Sequence, residues 1–245
     1  MRRLNWCVPA SLTALVLALP AVPAPAPKRE DKPDGPVTPA QQKTSVENLK
    51  QIGLAMHNYH DTFSTFPTNF QTKGGKPGLS WRVAILPALE EDELYKQFKL
   101  DEPWDSEHNA KLIDKMPKLY APVRGKADKG QTFYQMLAGK HSFLGPPGEG
   151  VSMAQVTDGL SNTLMVVEGG KAVTWTKPDD MPYDGKDVPK LGGMFDGKFH
   201  AVMGDGSVHR FKKGVPAETL HRLIDRADGH PVDPDAAVDP DTDKD

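Results

Sequence analysis

Val46, Leu49, Ile52, Met56 and Tyr59 recur at spacings of three, three, four and three residues, which sets them on one face of a helix. The spacing predicts a helix over 41–60. Such a helix is apolar along one stripe only, so another layer of the fold must cover that stripe. Pro67 stands against much continuation of the helix. Ahead of it, residues 28–40 are charged and proline-rich and read as a linker.

The following segments stay mainly helical. Residues 70–79 read as a loop. Trp81, Ile85, Leu89, Leu94, Tyr95 and Phe98 fit a helix broken near Pro87. Asp105 or Ser106 is placed to cap a short helix over 107–116, which Pro117 ends. The second half then changes period. Residues 132–137, 141–144, 163–168 and 172–176 are short, rich in β-branched or aromatic residues, and bounded by Gly or Pro, as strands are. The clearest hairpin pairs 199–203 with 208–211 across Gly204-Asp205-Gly206-Ser207, since Asp-Gly adopts the positive φ of tight turns. A last helix starts near Pro216, with Leu220, Leu223 and Ile224 facing inward. Helices first and strands later predict an α+β domain over 41–227. Residues 228–245 hold seven Asp and one Lys with little to bury, so they read as a disordered acidic tail.

The start of the chain carries its own signal. Met1-Arg2-Arg3 is basic, Leu12 to Leu19 is a short apolar core, and Pro20 to Pro27 is small and proline-rich. This is the layout of an export signal over 1–27, with Ala24 the favoured cleavage point. The apolar core is far shorter than the roughly 20 residues that span a bilayer, so no membrane span is expected once it is removed. Cys7 is the one cysteine and lies inside that leader, so the mature chain is expected to hold no disulfide and no thiolate site. A net charge of −3 gives no signature of nucleic-acid binding. The expected location is the cell envelope, the periplasm or the exterior.

Several polar groups are candidates for chemistry. His57 and His60 lie three apart on the first helix and, with Asp61, can face one metal ion. The alternative has the two histidines bonding the last carbonyls of the helix. Thr157 to Thr163 is dense in short polar side chains. Asp158, Ser161 and Asn162 there suit a calcium ion or a sugar, or else a turn in which they bond nearby backbone. Glu168 ends the apolar run 164–167. With Asp205 it would make the paired carboxylates of a hydrolase if the fold brings them together. Trp81, Trp104 and Trp175 serve either as sugar-stacking platforms or as core anchors. No nucleophile elbow, phosphate loop or dinucleotide fingerprint is present, so the residues point to no enzyme and to no cofactor beyond a possible calcium ion.

Four blocks occur in order: 48–67 (NLKQIGLAMHNYHDTFSTFP), 80–86 with 94–111, 156–176, and 192–211 with its Asp205-Gly206-Ser207-Val208. Together they resemble a bacterial prepilin-like family, the domain of unknown function fifteen fifty-nine, over roughly residues 45–213. The resemblance implies a pilin-like or pseudopilin-like fold, with an N-terminal helix packed on an antiparallel sheet and long loops. It also implies an envelope location and no established activity. Three places depart from the family's pattern. The prepilin leader with its long apolar helix is replaced by the export signal and linker, which argues against assembly into a pilus. Ser45 and Ala121 stand where many members have Cys. Phe195 stands where the family's C-terminal motif places His ahead of Asp-Gly. The expected function is an exported, non-enzymatic structural or binding module. Its partner would be an envelope protein or a glycan. A soluble carbohydrate- or small-solute-binding protein is the main rival.

Overall fold

The computed structural model describes residues 35–239. The expected export signal, the linker before residue 35 and the last six residues of the expected tail lie outside the described residues.

Helix α1 spans Pro39–Phe63. It starts inside the stretch read as linker because a capping box closes its first turn. Thr38 Oγ1 accepts the Gln41 amide at 3.3 Å, and Gln41 Oε1 accepts the Thr38 amide at 3.0 Å. Pro39 at the first helical position loses no hydrogen bond there. The helix stops where Ser64 turns left-handed at φ 61°. Its buried stripe is Ser45, Leu49, Ile52, Gly53, Ala55 and Met56. Val46 and Tyr59, expected inside, sit half-buried at its margins. Gly53 sets the depth of contact: a Cβ there would lie 2.9 Å from Val202 Cγ1 on the underlying sheet.

That sheet has four antiparallel strands, β1 (Gln131–Gln135), β3 (Leu164–Thr174), β5 (Phe199–Met203) and β6 (Val208–Phe211), in the order β1-β3-β5-β6. Two short strands, β2 (Leu137–Ala138) and β4 (Met181–Pro182), pair in parallel beside it. The hairpin forms as expected, with register from Phe199↔Phe211 to Val202↔Val208. The strands expected over 163–168 and 172–176 are a single strand. Between them the register jumps from Tyr134↔Glu168 to Thr132↔Val173. Gly169 and Gly170 mark this bulge, not a strand end, because another segment passes against them. Gly170 N donates to Lys190 O at 2.8 Å and Gly193 N to Gly169 O at 3.0 Å, and a Cβ on Gly170 would sit 2.5 Å from that Lys190 oxygen.

Residues 141–144 are not a strand. They follow a turn closed by Ser142 N to Gly139 O at 3.3 Å, and only an Ala138–Leu144 bridge forms. Phe143 and Leu144 are apolar because they plug the core from that turn. The segment 81–98 splits into α2 (Trp81–Ala84), a 3-10 turn at Pro87–Leu89 and α3 (Asp92–Tyr95), broken at Pro87 as expected. The helix expected over 107–116 is a 3-10 run, Asn109–Lys115. Ser106 Oγ accepts its first amide at 3.0 Å, while the buried Asn109 carboxamide bonds the carbonyls of Lys99, Glu102 and Pro103. Helix α4 (Ala217–Ile224) buries Leu220, Leu223 and Ile224 as expected.

Strand alternation assigns the two faces of the sheet. Val166 and Val202 point to α1 and share a core with Leu49, Ile52 and Met56. Val167, Phe199, Ala201, Met203 and Phe211 point the other way and pack with Leu220, Leu223 and Ile224 of α4. The fold is thus α+β, with the sheet between two helices. Each aliphatic side chain so buried stabilises it by about 1.5–3 kcal/mol. Residues 228–239 belong to this body, which corrects the start of the expected tail. A 3-10 turn at Pro234–Ala237 buries Ala237, Val238 bridges Phe211, and Asp239 N donates to Arg210 O at 2.8 Å. Acidic composition conceals this docking because one of the acids is itself buried: Asp239 pairs with Lys198 at 2.5 Å and faces Arg210 Nε at 3.5 Å.

Candidate functional site

Buried polar nodes and open clefts hold the chemistry of the described residues. The first node lies beneath α1. Glu168 and His200 project from adjacent strands and are 0% and 1% exposed. The Glu168 carboxylate accepts the His200 backbone amide at 2.8 Å and faces His200 Nδ1 at 3.1 Å. It also accepts the Ser45 hydroxyl from α1. Ser45 Oγ meets Tyr134 Oη at 2.9 Å, and Asn48 Nδ2 donates to that same phenol at 3.2 Å. The node therefore ties α1 to β1, β3 and β5 by polar bonds inside an otherwise apolar layer. His200 Nε2 is buried without a hydrogen-bond partner, and Phe195 packs edge-on to the imidazole at 4.9 Å.

The second node joins Arg82, on α2, to Asp180. Their ion pair is 2.8 Å long, with side chains 0% and 1% exposed. Arg82 Nε donates to Tyr134 O at 2.8 Å and its Nη1 to Ser80 Oγ at 2.6 Å. Asp180 accepts Trp81 Nε1 and the Met136 amide, each at 3.0 Å. Every oxygen and nitrogen of the pair thus has a partner, as a buried charge pair requires.

Two phenols beside these nodes make stability depend on alkaline pH. Burial pushes the Tyr134 phenol far above its usual range, the Glu168 charge pushes it further, and bonds from Ser45 and Asn48 only partly oppose this. Burial does the same to Tyr120, whose hydroxyl donates to Arg82 O at 3.0 Å. A raised folded-state pKa means the neutral phenol is favoured in the folded chain. The contribution is complete below the unfolded tyrosine value near 10 and is lost as pH rises above it. Unfolding free energy is expected to fall above that pH by about 1.4 kcal/mol per pH unit per phenol, measured by urea titration, and Tyr134→Phe should remove one phenol's share.

The structure disperses most of the candidates read from sequence. His57 and His60 flank Phe66 at 5.5 and 4.8 Å, and His60 Nε2 takes the Met153 amide at 3.4 Å. The exposed Asp61 reaches His60 Nδ1 only at 4.0 Å. Among the described residues, no three His, Cys, Asp or Glu side chains gather as a metal site. Asp158 is 6% exposed and accepts the Asp228 and Gly229 amides at 2.7 and 3.0 Å. A carboxylate surrounded by N–H donors fastens the segment after α4 and is not arranged for a cation. Asn162 Nδ2 bonds the Asp158 carbonyl at 2.9 Å, and Ser161 is exposed. Trp175 is 0% exposed, its indole donating to Ile113 O at 2.9 Å, so it is a core anchor and not a sugar platform. Trp81 is likewise buried, while Trp104 is half-buried with Lys177 over its ring at 5.6 Å. Asp205 is exposed at the hairpin tip and accepts Ser207 N at 2.9 Å and Ser207 Oγ at 2.7 Å. Glu168 is sealed under α1, so the two carboxylates share no cleft.

Sequence reading missed His200, Arg82 and Asp180. Arg82 carried a signal: it is the one charge in the apolar run 81–86. Asp180 carried none, because Lys177-Pro178-Asp179-Asp180 reads as any polar turn.

Two open clefts adjoin the Pro146-Pro147 loop. One, of about 330 Å³, is lined by Phe70, Gln71, Lys76, Pro77, Pro147 and Pro178, among others, and has no carboxylate in its wall. Gln71 Nε2 donates to the Pro147 carbonyl and closes the loop onto the 70–79 turn. The other, of about 240 Å³, is lined chiefly by Lys140, His141, Pro146, Glu149, Gln155 and Arg226.

Residues 42–135, from α1 to the end of β1, match a family described as "Protein of unknown function (DUF1559)". This is the family that the ordered sequence blocks resemble, and the matched segment contains the first two of them. No curated protein and no solved structure matches the chain.

Proposed function

We propose, taking the DUF1559 match over residues 42–135 as the premise, that the chain is an exported, non-enzymatic binding module of the bacterial cell envelope, built on a pilin-like helix-and-sheet scaffold. The observation that carries this reading is a division of labour. The buried carboxylates of both nodes are consumed by internal bonds, while the open cleft beside Phe70 and Pro77 is walled by ring faces, amides and one Lys. Such a wall offers shape, hydrogen bonds and one positive charge to a ligand, with no carboxylate or imidazole to act on it. Its loops stand on a rigid scaffold, as recognition loops do. The basic, apolar and proline-rich opening of the chain supports export.

The test is a thermal-shift screen of the purified chain against envelope polysaccharides and peptidoglycan fragments. A ligand present at a hundred times its dissociation constant stabilises by about 2.7 kcal/mol, which raises Tm by roughly 5–10 °C for a domain of this size. Phe70→Ala should shrink that rise. A ligand shift untouched by Phe70→Ala, or recovery of the chain in the cytoplasmic fraction, would contradict the reading.

A further inference from the structure

The smaller cleft carries charge that the fold does not neutralise. Arg226 Nη1 donates to the Lys140 and Ser142 carbonyls at 2.8 and 2.6 Å, and its backbone amide bonds His141 O at 2.9 Å. Those acceptors fix the guanidinium in place without cancelling its charge, and among the described residues no carboxylate pairs with it. Burial opposes its positive charge and lowers its pKa, with Asp225 acting only through space in the other direction. Arg226 Nε is buried with no hydrogen-bond partner. Lys140 and His141, both exposed, line the same cleft, and among the described residues neither side chain has a hydrogen-bond or ion-pair partner. Glu149 is the only carboxylate in the wall. A held, half-buried guanidinium beside a lysine and an imidazole is the arrangement that receives an oxyanion.

We propose that this cleft binds the carboxylate or sulfate groups of an acidic polysaccharide whose sugar rings occupy the adjoining proline-lined cleft. The inference rests on the reading that the loop clefts bind ligand, and it specifies the ligand's charge. Pro146 lines one cleft and its chain neighbour Pro147 lines the other, so the two sites meet at consecutive residues of one loop. The ring faces of Phe70, Pro77, Pro147 and Pro178 suit the apolar faces of sugars, and Lys76 extends the positive charge into the second cleft. An acidic peptide would also meet the cations, but it has less use for a wall of flat rings.

Calorimetry of the purified chain with polygalacturonate, dextran sulfate, neutral dextran and polyglutamate tests this. Expected is binding of one or both acidic polysaccharides, about tenfold or more tighter than neutral dextran and weakened by salt. Response to polygalacturonate alone assigns the anion as carboxylate, and response to both polymers assigns the site to oxyanions generally. The double variant Lys140→Glu, His141→Ala changes exposed side chains only, so it should keep the wild-type Tm while losing about tenfold in affinity for the acidic polymers. Phe70→Ala should weaken acidic and neutral polymers alike. Equal binding of neutral and acidic polysaccharide, unaffected by the double variant, overturns the charge assignment and leaves the cleft reading standing. Polyglutamate binding as tightly as polygalacturonate overturns the polysaccharide. Binding of none of them overturns both.

Discussion

Asp180→Ala is expected to destabilise the domain by about 3–5 kcal/mol, because it strands the Arg82 guanidinium with no counter-charge in a site closed to water. The Met136 amide and the Trp81 indole lose their acceptor in the same step. A loss of that size is a large part of the stability of an ordinary domain. Urea unfolding of the two proteins measures it. The pair itself need not be worth that much. Arg82→Met combined with Asp180→Ala removes both charges, so it should recover part of the loss. A single variant costing less than about 1 kcal/mol would mean that water reaches the pair.

Glu168→Leu should be the second large effect. The leucine is close in volume and keeps the apolar packing under α1, so the loss reports the polar bonds. The His200 amide and imidazole are left facing hydrocarbon, and the Ser45 hydroxyl keeps only its contact with Tyr134 Oη. Buried groups deprived of a partner cost about 1–3 kcal/mol each, so a total of roughly 3–5 kcal/mol is expected. The corresponding fall in Tm is about 10 °C or more. Glu168→Gln retains an acceptor for the His200 amide and should lose less. If Leu and Gln variants melt together near the wild type, the node does not hold α1 to the sheet. The same experiment separates structure from catalysis, since the sealed carboxylate is here given a fastening role.

These nodes explain why a mid-helix serine sits on the buried stripe of α1. Ser45 departs from the apolar period of Leu49, Ile52 and Met56, and on pattern alone it is a defect in the stripe. In the fold it is the helix's polar contact with Glu168 and Tyr134. The histidine met by Glu168 comes from β5, and Phe195 packs edge-on against that imidazole.

What the sequence determined by itself is what neighbours along the chain decide. The spacing from Leu49 to Met56 defines α1, and Thr38-Pro39-Ala40-Gln41 encodes its start, a capping signal easily hidden among linker prolines. Asp205-Gly206 specifies the β5–β6 turn, and Leu220, Leu223 and Ile224 specify the inner face of α4. Each depends on residues a few positions apart, so local periodicity and turn chemistry suffice. Tertiary structure alone decided the rest. Ser45 and Glu168 are 123 residues apart in sequence, and Arg82 and Asp180 are 98. Gly169-Gly170 became a bulge because the 190–193 segment passes there, and the acidic end docked because Asp158 holds the Asp228 and Gly229 amides. A sequence period reports which face of an element is buried. It carries no record of which distant polar group arrives to satisfy the one buried there, and that pairing is settled only when the chain closes on itself.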